Sequence, residues 1–205
     1  MNQQTRRVLV TGATSGIGYA IAQAFAADGA RVTATGATAP EVARAKEAST
    51  AAAIDFELLD VRDDAAVKQL VTAMGPLDVV VNCAGIIQRQ AELDPEAFER
   101  TVDINLNGMF YCLQNAFRVM KAQHPRGGRI INIGSQIGLK GGFHQTHYAA
   151  SKSGVHGFSR AAARELDEMK KQLEMFRETG QLVARSLEGA FRQWTEGSKV
   201  DVREM

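Results

Sequence analysis

Val8-Leu9-Val10-Thr11-Gly12-Ala13-Thr14-Ser15-Gly16-Ile17-Gly18 is the stretch that decides the fold. Val8 to Thr11 reads as a short buried strand. The glycines that follow have separate uses: Gly12 permits a tight turn, Gly16 lets the backbone approach a pyrophosphate, and Gly18 lets a helix lie close to the strand. From Ile17 to Asp28 the apolar residues Ile17, Ala20, Ile21, Ala24 and Phe25 form one helical stripe, and Gly29 ends it. A helix that starts at such a turn offers free N–H groups and its positive dipole end to phosphate. Gly12, Thr14, Ser15, Gly16, Ile17 and Gly18 are therefore the first candidate cofactor-binding residues. Three glycines alone are weak evidence, and the strand-to-helix context is what favours dinucleotide binding over a plain turn.

Working outward, the chain keeps alternating strand and helix up to about Asp167. Strands are expected at 31–35, 54–59, 77–81 and 129–133, with helices between them at 41–50 and 63–74. A long helix is expected from Asp94 and Pro95 to about residue 121, striped by Phe98, Val102, Leu106, Phe110, Leu113, Phe117 and Met120. After the fifth strand a polar loop, 135–147, leads into a helix that begins near Tyr148. Near-continuous apolar strands separated by helices imply an α/β fold: a doubly wound parallel sheet with helices on both faces. Residues 1–166 are the expected dinucleotide-binding and catalytic domain. Residues 167–205 are an expected helical tail of unknown role: no Pro lies beyond position 125, and the apolar spacing reads helix, break, helix.

Composition narrows the function. The 205 residues are 45% hydrophobic and 23% charged, ordinary globular usage, so wholesale disorder is excluded. With 24 Lys+Arg against 23 Asp+Glu the net charge is +1, and no basic excess points to nucleic acid or an anionic membrane. No apolar run approaches a bilayer span, and the first residues carry no secretory-signal pattern, so a cytoplasmic protein is expected. Cys83 and Cys112 have no paired spacing and read as free thiols. His144, His147 and His156 invite a metal reading, but no third ligand stands at convincing spacing and no metal is expected. His147, beside Tyr148, could instead touch substrate.

The motifs together resemble the short-chain dehydrogenase/reductase family. Gly-x-x-x-Gly-x-Gly at Gly12, Gly16 and Gly18 is that family's spacing rather than the commoner Rossmann fingerprint. Asp60-Val61 stands where the family hydrogen-bonds adenine. Asn82-Cys83-Ala84-Gly85 matches its Asn-Asn-Ala-Gly, Asn105 its helical Asn, and Ser135 its strand-end Ser. Tyr148-Ala149-Ala150-Ser151-Lys152 matches Tyr-x-x-x-Lys, thirteen residues after the Ser. The resemblance covers residues 7 to about 166 and implies a Rossmann-like fold with NAD or NADP as cofactor. It adds Asp60, Val61, Asn82, Ala84, Gly85, Tyr148 and Lys152 to the candidate cofactor-binding residues, and names Asn105, Ser135, Tyr148 and Lys152 as candidate catalytic residues.

The chemistry explains these residue types. Hydride transfer to a carbonyl needs a proton donor at the oxygen, and the reverse reaction needs a base there. A free tyrosine is a poor base at neutral pH, and a neighbouring ammonium favours its phenolate. Tyr148 and Lys152, four apart on a helix, share one face, so Lys152 can lie by the phenol and reach the cofactor ribose. Ser135 would hold the substrate oxygen, and the resemblance implies that Asn105 binds a water relaying protons to Lys152. Bland alternatives stand beside these roles. Tyr148 could be a packing aromatic, Lys152 a solvated charge, Ser135 a turn former, Asn105 a helix residue bonded to backbone and Asp60 a cap for the helix near Asp63. Gly36-Ala37-Thr38, at the end of the second strand, offers neither a carboxylate for a ribose hydroxyl nor an Arg for a 2′-phosphate.

The chain also departs from the pattern. Cys83 replaces the family's second Asn. The sixth strand, Pro-Gly turn, substrate loop and seventh strand are not recognisable, which leaves the fifth strand as an expected open edge. The expected function is an NAD(P)-dependent oxidoreductase acting on a small alcohol or ketone. The alternative is a nucleotide-binding or self-associating protein without turnover. By resemblance the helices around 95–121 and 148–166 imply a homodimer or homotetramer. The loops 86–94 (Ile86, Ile87, Gln88, Arg89) and 136–147 are expected to line the substrate site.

Overall fold

The computed structural model describes residues 5–88 and 94–165. The expectations for Arg89 and for the tail at 167–205 lie outside the described residues.

Five strands form one parallel sheet: β1 (Arg7–Thr11), β2 (Arg31–Gly36), β3 (Ile54–Leu58), β4 (Val79–Asn82) and β5 (Arg129–Asn132). Their order is β3-β2-β1-β4-β5, so the chain reverses direction across the sheet between β1 and β4. The register there pairs Val8 with Val79 and Thr11 with Asn82. In open α/β sheets the crevice at such a reversal, outside the carboxyl ends of the strands, is where ligands bind.

Strand apolarity is explained by two hydrophobic layers. Val8, Val10, Val32, Ala34, Val79 and Val81 face one layer, with Ile21 and Phe25 of α1 (Gly16–Ala27) and Val42 of α2 (Ala39–Ala48). Leu9 and Val80 point the other way, to Val67 and Val71 of α3 (Asp64–Met74) and to Cys112, Ala116 and Met120. β1 from Val8 onward and β4 bury side chains on both faces, so alternation is not visible in their sequence. At the far edge β3 alternates, with Ile54 and Phe56 buried between exposed neighbours. β5 is the other edge of the described sheet, half-buried along its length.

The expected long helix is divided. Regular α4 (Pro95–Val102) and α5 (Met109–Ala122) are joined by a π-helical turn over Asp103–Gly108. The buried face differs in part from the expected stripe: Met120 is buried as expected, but otherwise Ala97, Thr101, Asn105, Met109, Cys112 and Ala116 are buried, while Phe98 and Phe110 are exposed. Likewise Ile17, expected on the apolar stripe of α1, is 50% exposed, and Gly18 and Ala22 take its place in the core. A one-turn helix not expected from sequence, α6 (Ile137–Lys140), lies inside the polar loop, and α7 (Thr146–Glu165) begins two residues before Tyr148.

Candidate active site

The glycine turn sits at the carboxyl end of β1 as expected. Gly12 (φ 64°) and Gly16 (φ 57°) are in the left-handed region that glycine adopts without strain. A Cβ on Gly12 would come 2.6 Å from the Ala84 Cα, and one on Gly18 would collide with the Gly12 carbonyl oxygen. The turn is therefore pressed against the segment after β4. Thr11 fixes that contact by accepting, on Oγ1, the N–H groups of Cys83 (3.1 Å) and Ala84 (3.2 Å).

The start of α1 differs from its neighbours. Thr38 caps α2 in a reciprocal arrangement with Glu41, Asp63 caps α3 and Asp94 caps α4. Ser15, at the same position of α1, makes no side-chain cap. Ser15, Gly16 and Ile17 are all exposed, so the first N–H groups of this helix face open space with no internal acceptor. A helix terminus of this kind, here at the sheet's reversal point, has the geometry to receive an anion.

Asp60 and Val61 lie to one side. Val61 packs against Gly108, where a Cβ would come 2.6 Å from the valine Cγ2. The Asp60 carboxylate accepts both Nε (3.0 Å) and Nη2 of Arg62. Those bonds hold its carboxyl below the usual carboxylate range against partial burial. Asp60 does not cap α3; Asp63 does, accepting from the Ala66 N–H at 3.0 Å. Asn82 turns its amide into the sheet end, donating to Asn132 Oδ1 at 2.8 Å.

Around α7 the remaining candidates converge. Lys152 is 3% exposed and donates its Nζ to the Ile133 carbonyl oxygen at 2.8 Å, at the end of β5. The same Nζ lies 5.7 Å from the centre of the Tyr148 ring. Burial pushes Lys152 below the ordinary lysine range, with Cys83 opposing. Burial likewise raises the Cys83 thiol to about 11, opposed by Lys152. Gly85 completes this corner: a Cβ there would stand 3.2 Å from Asn105 Oδ1 and 3.8 Å from Lys152 Nζ.

Asn105, fully buried in the π turn, acts as a clamp. Its Oδ1 accepts the Ile86 N–H at 2.8 Å, and its Nδ2 donates to the Ile86 carbonyl (2.9 Å) and to Ser151 Oγ (3.2 Å). The side chain is thus engaged with the loop after β4. Ser135 Oγ accepts the Ile137 N–H at 3.2 Å, which starts α6. The Ser135 carbonyl accepts a bond from His156 Nε2 at 2.9 Å. His156, considered from sequence only as a metal ligand, is a structural support of Ser135. Its spacing was the available signal, since Tyr148, Lys152 and His156 follow at intervals of four along one helix face. Thr11, just before the glycine turn, and the Ile133 carbonyl are further supports not among the candidates.

Residues 6–174 match the short chain dehydrogenase family. The chain belongs to that family. The 3-oxoacyl-[acyl-carrier-protein] reductase MabA of Mycobacterium tuberculosis is 42% identical over 173 residues, covering 79% of this chain and 64% of MabA. The corresponding reductase FabG of Staphylococcus aureus is 37% identical, covering 80% of this chain and 70% of FabG. The chain thus spans a little under two thirds of MabA. Among solved structures, a variant of actinorhodin polyketide ketoreductase with NADPH superposes with a TM-score of 0.72 at 36% identity, over 79% of this chain and 65% of that one. ElxO with NADP bound superposes with a TM-score of 0.74 at 29% identity, over 80% of this chain and 69% of that one. The Rossmann-like sheet and the family resemblance read from the motifs are both borne out. Among the described residues, no helix is long and apolar enough to cross a membrane.

Proposed function

We propose that this short chain dehydrogenase is a cytoplasmic NAD(P)-dependent oxidoreductase that reduces a small ketone, or oxidises the matching alcohol. The observation that carries this reading is the position of Lys152. Its ammonium is anchored to the Ile133 carbonyl, beside the Tyr148 ring and within one corner with Gly85 and Asn105.

The pocket fits a nicotinamide dinucleotide. The close packing at Gly12 and Gly18 holds the turn against the segment after β4, and the space over Gly16 at the uncapped start of α1 is open. In it Thr14, Ser15, Gly16 and Ile17 would meet the pyrophosphate, with Asp60 and Val61 at the adenine and Ala84, Gly85, Tyr148 and Lys152 toward the nicotinamide half. When bound, the cofactor supplies or accepts the hydride. NADP is the cofactor to test first. The two structural neighbours hold NADPH or NADP, Gly36-Ala37-Thr38 places no carboxylate against a 2′-phosphate, and Glu41 is engaged in capping α2.

The protein's own residues handle the proton. Tyr148 donates it to the carbonyl oxygen or removes it from the alcohol, and the Lys152 ammonium stabilises the phenolate left behind. Ser135 holds the substrate oxygen. Asn105 is a positioning residue that fixes Ile86 and Ser151. We read residues 1–166 as the catalytic unit and expect self-association as a homodimer or homotetramer, which sedimentation tests directly.

Reduction of ethyl acetoacetate, a simple 3-oxo ester, with NADPH or NADH tests the activity. Tyr148→Phe is expected to lower kcat by about 10²–10⁴-fold while NADPH still binds. Parent-rate turnover in that variant would remove Tyr148 from the chemistry.

A further inference from the structure

We propose that His147 is a positioning residue for Tyr148, acting through an internal water that it shares with Thr101 between α4 and α7. The inference rests on Tyr148 being the proton donor, but its structural part can be tested without turnover.

Thr101 is 0% exposed and His147 is 1% exposed. Among the described residues, neither Thr101 Oγ1 nor either ring nitrogen of His147 has a hydrogen-bond partner. Buried polar groups are seldom left so, because an unpaired one keeps the full cost of its desolvation.

The register of the two helices brings the two positions to the same level of the α4–α7 contact. Helices α4–α5 and α7 run parallel, as three contacts establish. Asn105 bonds to Ser151, a Cβ on Gly154 would meet Leu106 at 2.8 Å, and the rings of Phe110 and Phe158 pack edge-on at 6.2 Å. Partners in this pairing are 46 to 48 positions apart (151 − 105 = 46; 158 − 110 = 48). One turn earlier on each helix, the same offset pairs Thr101 with His147. A hydroxyl and an imidazole that face each other without bonding directly are suited to a water between them, which needs about 2–4 polar partners.

The consequence for the site is local. His147 is the second residue of α7 and Tyr148 is the third. The Asn105–Ser151 bond fixes α7 one turn later, and the bridge at His147 fixes the turn that carries the phenol itself. Displacing a reacting group by about 1 Å can lower a rate by about 10²-fold, so this anchorage bears on kcat rather than on binding.

The test uses the full chain with its histidine rings labelled with ¹⁵N and its tyrosine rings with ¹³C. Thr101→Val keeps the side-chain shape and removes only the hydroxyl. It is expected to shift the His147 ring nitrogens and the Tyr148 ring signals, assigned through Tyr148→Phe, and to leave those of His124 unchanged. In ethyl acetoacetate reduction, Thr101→Val and His147→Leu are each expected to lower kcat about tenfold with KM little changed. The double variant is expected to be no slower than the worse single, and His147→Asn, which keeps a donor and an acceptor, to recover most of the rate. Unmoved His147 ring signals in Thr101→Val, or losses that simply multiply in the double variant, would overturn the bridge. If the parent chain binds NADPH but reduces no 3-oxo ester, the proposed activity fails, and the ring signals alone decide the bridge.

Discussion

Lys152 is held by Ile133: its Nζ donates to that residue's carbonyl oxygen at 2.8 Å, tying the candidate catalytic helix to the end of β5. The ammonium is almost wholly buried, and Cys83, which faces it, is a thiol rather than a carboxylate. Its lowered pKa therefore reports the cost of keeping a charge out of water.

This has a consequence for pH. The unfolded chain binds the lysine proton more tightly than the folded chain does. The burial cost is present in full below the lowered folded pKa and disappears as pH rises from there toward the ordinary lysine value of 10.5. Relative to Lys152→Met, the parent should gain stability over that alkaline window. Urea unfolding of both proteins across the window measures it, and parallel stability curves would show that Lys152 is not desolvated.

Thiol chemistry gives a second readout. Burial raises Cys83 to about 11 and Cys112 to about 12. Both are unpaired, so neither should be alkylated readily by iodoacetamide at about pH 8 in the folded protein. As pH rises Cys83 should react before Cys112, and both should react at once in guanidinium. Mass spectrometry after timed quenching distinguishes the sites. Rapid modification of Cys83 near neutrality would mean that water reaches its thiol.

His156 offers a test of support at a distance from substrate. Its ring holds the Ser135 carbonyl, and a Cβ on Gly134 would lie 2.7 Å from it, so the ring also packs beneath the strand end. His156→Phe fills the space without the bond. It should lower kcat roughly tenfold while the Kd for NADPH, measured by calorimetry, is unchanged. A weakened Kd with normal kcat would place the effect in the cofactor pocket instead.

Gly18→Ala probes the cradle. The added methyl group collides with the Gly12 carbonyl, backbone that cannot rotate away. A loss of about 1–3 kcal/mol of stability is expected, with NADPH binding abolished. Circular dichroism melts and the same titration check both. A variant that binds normally would show that α1 can move away from the turn.

The sheet and its layers were legible from residues 8–18 and from the strand–helix alternation that follows, because the central strands β1 and β4 are apolar on both faces and glycines or caps mark several helix ends. Lys152, Tyr148 and Ser135 were legible as a motif because their spacing is fixed by one helix and one strand end. What was hidden depends on contacts distant in sequence. Asn105 reads as a water-binding residue by resemblance, yet its amide holds the Ile86 backbone nineteen positions away. His156 reads as an isolated histidine until α7 is laid against Ser135. The expected stripe of α4 and α5 differs from the packed face because, beside Met109 and Met120, that face is built from Ala97, Thr101, Asn105, Cys112 and Ala116, which carry little hydrophobic signal. The π turn shifts that face again, and no residue type signals it.

That turn has a consequence for how the chain tolerates insertions and deletions. A π turn holds one residue more than the α-helical ladder needs. Removing a residue from the middle of a helix normally swings everything beyond it by about 100°. Between Asp103 and Gly108 a deletion would instead restore the regular ladder, leaving α4 and α5 as one straight helix. The backbone would gain by the change, while Asn105 would turn away from Ile86 and Ser151. The surplus residue is thus a place where backbone regularity and the candidate site make opposite demands on sequence length.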